Sequence, residues 1–150
     1  MVGAASADAV TRAHDEHLVP HLTRAIDAGV RMTFDEHGRP LRLSLSGQAH
    51  RLGVHQLDLA TYLWLVHGRI KAIRALATSD DPPPRRHVLF RCPNRLVEIA
   101  ADEYGPYRAR FDPRRAAKAT PAELMNSVND GLRQLADATR RTRGGHRHGA

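Results

Sequence analysis

Basic side chains are the groups of this sequence that could do chemistry, because lysine and arginine can neutralise the phosphates of a nucleic acid. Of the 23 basic residues only Lys71 and Lys118 are lysine. Residues 76–150 hold 14 basic and 9 acidic residues, whereas residues 1–75 hold 9 and 7. The candidate nucleic-acid-binding residues of the second half are Arg85, Arg86, Arg91, Arg95, Arg108, Arg110, Arg114, Arg115, Lys118, Arg140, Arg141, Arg143 and Arg147. If they meet on one face they favour a phosphate backbone; if they are dispersed, they pair with local acids instead.

The sequence around these arginines limits the kind of binding that they can support. Aromatic residues make up only 5% of the chain and are not interleaved with the arginines, so stacking on single-stranded bases is not expected. No helix-turn-helix or zinc-finger pattern predicts base readout. The last eleven residues contribute four arginines and no acid, and such a tail attracts polyanions whatever the fold. The alternative is a solvated tail that keeps the protein soluble. The sequence therefore predicts weakly specific contact with the backbone of double-stranded DNA, without a cofactor.

Three histidines are spaced so that they could share one helix face. His14, His17 and His21 follow an i, i+3, i+7 pattern, and imidazoles at that spacing can bind zinc or nickel. Pro20 disturbs this geometry, and no other cluster is placed to complete a site. We expect a solvated helix face here rather than a metal centre.

Other reactive groups point away from catalysis. Cys92 lies between Arg91 and Arg95, which could lower its pKa, but no histidine is paired with it in the sequence. We expect a small hydrophobic residue at a strand end. The acidic pairs 35–36 and 102–103 are adjacent residues in predicted turns, so their carboxylates point apart. The sequence thus predicts a protein that is not an enzyme.

Composition bounds the class of protein. The chain has 150 residues and 41% hydrophobic content, enough for one domain with an aliphatic core. A single cysteine excludes an intrachain disulfide and suits a reducing cytosol. The sequence has neither a signal-peptide pattern at its start nor a run of about 18 apolar residues. We expect a cytoplasmic protein, located in the nucleoid if it binds DNA.

The second half contains the clearest structural signals. Val97, Ile99 and Ala101 alternate with polar residues as in a half-buried strand, and residues 107–111 alternate again after a turn that ends in Gly105. Asp112-Pro113 ends the second strand. Residues 120–123, Thr-Pro-Ala-Glu, predict a capped helix start, and an apolar stripe follows. A further strand is predicted at residues 88–90.

The first half repeats parts of this pattern. Helical composition over residues 7–28 is followed by alternating residues 30–34 and 41–45, which predict a β-hairpin. A long helix is predicted over residues 54–78, with the buried stripe Leu59, Leu63, Val66, Ile70 and Ile73. The predicted units are residues 1–6, disordered; 7–78, helix–hairpin–helix; 79–86, a proline-rich linker; 87–142, strand–hairpin–helix; and 143–150, a basic disordered tail. Together they predict one compact α+β domain with an N-terminal helix, antiparallel hairpins and two long helices.

Residues 97–141 resemble the YbaB/EbfC family of small nucleoid-associated proteins. The matching features are the valine strand, the D-E-x-G turn, the F-D-P strand end and the x-P-x-E-L helix start followed by V-N-D. The resemblance implies a dimeric protein that binds DNA with little sequence specificity and without catalysis. It also implies a small antiparallel sheet packed with a long C-terminal helix.

A shift of 67 residues aligns the two halves. It sets Val30 on Val97, Asp35 on Asp102, Gly38 on Gly105 and Leu57 on Leu124. A tandem hairpin–helix duplication would let one chain imitate a two-chain dimer. Against it, residues 41–45 differ by one position in phase from residues 107–111, and the predicted helix stripes are rotated. Two unrelated units with the same turn chemistry are the alternative.

Two functions follow from these observations. The first is a non-enzymatic, nucleoid-associated protein that binds the DNA backbone as a homodimer or pseudo-dimer. The second is a protein-interaction adaptor or regulator in a bacterial multiprotein assembly, without nucleic acid. The mildly charged body, the rigid proline linker and the apolar helix over residues 54–78 favour the second function.

Overall fold

The computed structural model describes residues 12, 14–77, 81 and 83–148, and the side chains of residues 12, 16–77, 81 and 83–139. A π-helical turn, His14–Leu18, leads into helix α1, Val19–Asp27. The first hairpin comprises β1, Val30–Phe34, and β2, Pro40–Leu45; a 3₁₀ turn, Gly47–Arg51, connects it to helix α2, Val54–Ala77. A three-stranded sheet follows, with β3, His87–Arg91, β4, Val97–Asp102, and β5, Gly105–Phe111. The short helix α3, Pro113–Lys118, precedes the long helix α4, Pro121–His148.

These elements confirm the predicted α+β class. Both sheets are antiparallel, in the order β1-β2 and β3-β4-β5. Pro20 is the second residue of α1, where its missing N–H costs no helical hydrogen bond. Helix α4 continues through residue 148, so the backbone of the predicted tail is helical to that point. Residues 1–11, 13, 78–80, 82 and 149–150, which include parts of the predicted tails, first helix and linker, lie outside the described residues.

Local hydrogen bonds form the predicted turns and helix starts. The Asp35 carboxylate accepts from the backbone N–H of His37 at 2.9 Å, and the Asp102 carboxylate accepts from that of Tyr104 at 2.9 Å. Glycine follows in both turns with positive φ, 83° at residue 38 and 107° at residue 105, a conformation that glycine adopts without steric cost. At the start of α4, Thr120 Oγ1 accepts from the Glu123 N–H at 3.2 Å, which confirms the predicted capping box.

Each long helix covers a sheet edge that belongs to the other half of the chain. Strands β2 and β5 are outer strands, with backbone groups that no neighbouring strand pairs. On α2, the Asp58 carboxylate accepts from the Phe111 N–H of β5 at 2.9 Å. On α4, Asn129 accepts from the Leu43 N–H of β2 at 2.7 Å and donates to the Leu43 carbonyl at 3.1 Å. The halves are therefore joined by a reciprocal exchange of helices.

The buried face of α2 differs from the predicted one. Leu59 and Ile73 are 53% and 37% exposed, and Leu63, Val66 and Ile70 are half-buried. The buried face is instead Leu57, Ala60, Thr61, Trp64, Leu65, Gly68 and Ala72. Small residues decide this choice: a Cβ atom on Gly68 would lie 2.7 Å from the Gly38 carbonyl oxygen, so only glycine lets the hairpin turn approach the helix.

The corrected face is in register with that of α4. The buried residues in the described part of α4 are Leu124, Ser127, Val128, Gly131, Leu132 and Leu135. Each lies 67 positions after a buried residue of α2, so the two stripes are not rotated. The difference in strand phase also has a local cause. In each hairpin one residue of the second strand has no partner on the first strand, Leu41 in the first half and Tyr107 in the second. These two residues lie 66 rather than 67 positions apart because the first turn is one residue longer than the second. A duplication origin for these correspondences stays a prediction.

Candidate nucleic-acid interface

The outer face of the three-stranded sheet presents three of the candidate arginines together. Glu98 on β4 pairs directly with Arg91 on β3 and with Arg110 on β5. Arg108 precedes Arg110 by two residues and lies on the same face of β5. All three arginines are exposed. Directly opposed residues have Cβ atoms about 5 Å apart, so these guanidinium groups share one small region. The Arg91 guanidinium forms a surface ion pair with Glu98 at 3.2 Å.

Four more basic residues join them at the end of the sheet where β3 and β5 finish. Arg95 lies in the loop between β3 and β4, and the Arg115 guanidinium donates to the Asn94 carbonyl of that loop at 3.2 Å. This contact holds α3 against the loop. Asp112 caps α3 by accepting from the backbone N–H groups of Arg114 and Arg115, at 3.0 and 2.9 Å. We name the resulting group the second-half basic surface: Arg91, Arg95, Arg108, Arg110, Arg114, Arg115 and Lys118, all of them exposed.

Three carboxylates adjoin this surface, and each has a structural role. Glu98 pairs with Arg91, Asp112 caps α3, and Asp58 holds the backbone of β5. Burial raises the pKa of the Asp58 carboxyl, while the Phe111 N–H and the nearby arginines of β5 oppose that rise. Seven basic side chains against three carboxylates leave an excess of positive charge, and that excess is what phosphate binding requires.

The remaining candidate arginines do not gather with these seven. Arg86 lies at the opposite end of β3, where its N–H donates to Glu103 at 3.1 Å and its guanidinium to Thr139 Oγ1 at 3.4 Å. At about 3.3 Å per residue, Arg85 lies roughly 20 Å from Arg91. Arg85 and Arg86 therefore lie apart from the seven residues of the second-half basic surface. Their part in DNA binding stays a prediction. The side chains of Arg140, Arg141, Arg143 and Arg147 lie outside the described residues, and their backbone continues α4 beyond Thr139.

The first half contributes basic residues that are not among the candidates predicted from the sequence. Arg31 and Arg42 are exposed on the outer face of the β1-β2 hairpin, and Arg51 is exposed in the 3₁₀ turn. Arg31 and Arg51 line an open groove of about 670 Å³ together with His50. The sequence signal for them is the alternation of polar residues on both strands, Arg-x-Thr at residues 31–33 and Arg-x-Ser at residues 42–44, which predicts one polar face of the hairpin. The low net charge of the first half concealed it.

Other candidate chemistry has simpler roles in the described residues. His17 and His21 are exposed, and the side chain of His14 lies outside the described part. No group of three metal-ligating side chains could hold an ion among the residues that the structure describes. Cys92 is buried and its thiol donates to the Asn94 side chain, which orders the loop that carries Arg95. No helix in the described ranges combines the length and the apolar character that crossing a membrane requires.

Asp58 provides a first test of the electrostatics at this surface. Replacing Asp58 by asparagine keeps the acceptor for the Phe111 N–H but removes a negative charge beside Arg108 and Arg110. We expect the affinity for duplex DNA to rise severalfold. Because burial raises the pKa of Asp58 above 3.8, the wild-type carboxyl stabilises the fold at acid pH, and this contribution is lost as pH rises through the raised pKa. Urea unfolding from about pH 3.5 to 7 should show this loss in the wild type but not in Asp58→Asn.

The matched control is Asp58→Ala, which also removes the charge but leaves the Phe111 N–H unpaired. We expect it to cost about 1–3 kcal/mol of unfolding free energy. Equal stability of the alanine and asparagine variants would show that the hydrogen bond to β5 does not hold α2 in place.

Comparison with protein-family models finds no match for this chain, and comparisons with curated proteins and with solved structures find none either. The resemblance to YbaB/EbfC proteins therefore stays a prediction from the residues of the second half.

Proposed function

We propose that this protein binds double-stranded DNA, without catalysis, through phosphate contacts made by the second-half basic surface. The observation that carries the proposal is the convergence of seven exposed basic side chains from β3, β5, the intervening loop and α3. Arg108 and Arg110 extend from a rigid strand, and Arg115 is held by the Asn94 carbonyl. The sheet and this contact fix where these groups start, so their charges face one region at which a backbone of regularly spaced phosphates can bind.

The same surface supports backbone contact rather than base readout. It is formed by one sheet face and the six-residue helix α3, whereas groove-reading motifs present a longer helix or a two-stranded ribbon to the bases. None of its seven members is aromatic, so it offers no stacking platform for single-stranded bases. Low sequence specificity follows, in keeping with a nucleoid-associated role for a protein of YbaB/EbfC-like architecture.

We further propose that one chain acts as a pseudo-dimer. The reciprocal helix exchange and the buried faces in register at 67 residues would give the chain two similar halves in place of two subunits. A homodimer of such chains is the alternative assembly.

The proposal is tested by fluorescence anisotropy with a labelled duplex of about 25 base pairs. We expect log K to fall linearly with log salt, with a slope of about −0.9 for each phosphate contacted. A random duplex and a second sequence of equal length should bind within a few-fold of each other. Absence of binding at low salt would refute the proposal. Deleting residues 140–150 should flatten the slope if the terminal arginines take part.

A second candidate function, a protein-interaction adaptor, is favoured by the exposed side of α2. Leu59 is 53% exposed and Tyr62 is 45% exposed, and with Ile73 they leave apolar area on the surface of the described fold. Affinity capture that recovers protein partners and no nucleic acid would favour this function over DNA binding.

A further inference from the structure

The open groove of the first half has the composition of a phosphate site. It lies between the base of the β1-β2 hairpin and the 3₁₀ turn, and Arg31, Arg51 and His50 supply its basic groups. Ser44 and Ser46 add hydroxyl groups. None of the described residues that line it is acidic. An anion that enters the groove therefore meets cations and hydrogen-bond donors on its walls, with no carboxylate to repel it.

Backbone geometry holds the groove open in one shape. The Ser46 N–H donates to the Gly29 carbonyl at 2.9 Å, which ties the end of β2 to the start of β1. Gly29 has a φ of 89°, and a Cβ atom there would overlap the Ser46 hydroxyl. Ser46 in turn caps the 3₁₀ turn by accepting from the Gln48 N–H at 3.3 Å. The Nδ1–H of His50 donates to the Gly47 carbonyl, which orients the imidazole ring at the groove.

This groove occupies the place in the first half that the second-half basic surface occupies in the second. Ser46 and Asp112 are the corresponding caps, 66 positions apart, and each precedes a short helical turn. Arg42 corresponds to Arg108 on the outer strand at the same shift, and Arg51 corresponds to Lys118 at a shift of 67. Arg42 and Arg51 therefore have basic counterparts in the second half, whereas Arg31 corresponds to Glu98.

We propose that this groove, together with Arg42 beside it, is a second phosphate-binding site that contacts the DNA backbone. The inference rests on the proposed function, since it assigns the same ligand to the other half of the chain. The occupant is a backbone phosphate rather than a nucleotide, because the groove is open and none of its lining residues among those described is aromatic. One chain then contacts duplex DNA at two places, as a two-fold dimer would.

The test is a triple variant, Arg31→Gln, Arg42→Gln and Arg51→Gln, measured by anisotropy across a range of salt concentrations. If each arginine contacts one phosphate, the slope of log K against log salt becomes shallower by about 2.7. The matched control, Arg12→Gln, Lys71→Gln and Arg133→Gln, removes the same charge from exposed positions outside the groove and should leave the slope nearly unchanged. A lysine version of the first triple keeps the charge and should keep most of the slope. Circular dichroism melts check that each variant is folded.

The outcomes separate this inference from the function on which it rests. If the wild-type protein does not bind DNA at all, both proposals fail. If it binds, and neutralising the second-half basic surface weakens binding while the first-half triple matches its control, only the second site is refuted. Inorganic phosphate provides a further arm. If it perturbs the NMR signals of His50 and Arg51 but the triple variant leaves the DNA slope unchanged, the groove binds free phosphate only, which also overturns the inference.

Discussion

A variant in which Arg108, Arg110, Arg114, Arg115 and Lys118 are all replaced by glutamine is expected to lose about 10³-fold or more in affinity for duplex DNA at 0.1 M salt. Each phosphate contact contributes about 0.9 to the slope of log K against log salt, so five lost contacts make the slope shallower by about 4.5. Affinities for non-specific sites are typically weak at physiological salt, so binding by the variant should fall below detection. The side chains are exposed, and within the described part of the chain four of the five make no hydrogen bond through their side chains.

The fold should survive this change, which makes the measurement interpretable. Arg115 alone donates through its guanidinium, to the Asn94 carbonyl at 3.2 Å, and this exposed bond contributes about 1 kcal/mol or less. The caps of α3 involve backbone N–H groups and remain intact. We expect the melting temperature to change by a few degrees at most. A melt that shows gross unfolding would attribute the lost affinity to the fold rather than to the surface.

The control for this variant lies at the other end of the same sheet. Arg85→Gln with Arg86→Gln removes positive charge roughly 20 Å from the second-half basic surface. We expect it to change the salt slope by less than 1. If this double variant weakens binding as much as the neutralised surface does, the DNA runs along the whole length of the sheet. The assignment of the site to the end where β3 and β5 finish would then be wrong.

Turn chemistry and strand alternation were readable from the residues because they depend on near neighbours. The Asp102 carboxylate accepts from an N–H two residues further on, and the Thr120 hydroxyl accepts from an N–H three residues further on. The alternation of Val97, Ile99 and Ala101 needs only the two faces of one strand, and all three are buried. Signals of this length act before distant parts of the chain meet. The exposed phase of β5, with Arg108 and Arg110, followed from the same rule.

The buried face of α2 was not readable because the helix is apolar over much of its circumference. The pattern offered one stripe of large aliphatic residues and another in which small residues alternate with Leu57, Trp64 and Leu65. The fold chose the second, since Gly68 permits close approach to the hairpin turn and Asp58 reaches the edge of β5. Both contacts join residues that are far apart in the sequence, and the second of them joins the two halves of the chain. A count of aliphatic side chains cannot anticipate which face packs most closely.

The division of the candidate arginines had a similar cause. Arg86 and Arg91 are only five residues apart, which suggests proximity, but they lie at opposite ends of the five-residue strand β3. Arg91 and Arg115 are 24 residues apart and reach the same end of the sheet, because the β4-β5 hairpin returns the chain to its starting point. Strand pairing therefore decided which charges meet. The sequence placed Arg86 and Arg91 on either side of the strand predicted at residues 88–90, but it did not show which other charges strand pairing would bring to each end.

Replacing Trp64 by alanine is expected to cost about 3–5 kcal/mol of unfolding free energy, the usual range for deleting a buried tryptophan. Trp64 is 8% exposed and packs against Phe34 with ring centroids 6.1 Å apart. Its indole N–H donates to the Val30 carbonyl at 3.0 Å, so the variant also leaves a buried acceptor without its partner. Urea unfolding followed by circular dichroism measures the loss, since the variant lacks the only tryptophan of the chain.

The cost is expected to be large because the Trp64 indole donates a hydrogen bond to β1 that the backbone beside β3 donates to β4 in the other half. Val97 corresponds to Val30, and the Val97 carbonyl accepts from the Cys92 N–H, just after β3, at 3.2 Å. In the described part of the first half the sheet has two strands, and the indole of Trp64 supplies to β1 the hydrogen bond that a third strand would donate. On α4, Gly131 holds the position equivalent to Trp64, where a Cβ atom would lie 2.7 Å from the Phe90 ring of β3.

The conservative change Trp64→Phe separates packing from hydrogen bonding at this position. It keeps an aromatic ring over β1 and removes the donor to the Val30 carbonyl, so we expect a cost of about 1–3 kcal/mol. The alanine variant should then be clearly less stable than the phenylalanine variant. If both variants unfold at the same urea concentration as the wild type, the indole does not stabilise the outer edge of β1. The first half is then stabilised by the contact between Asn129 of α4 and Leu43 of β2 instead.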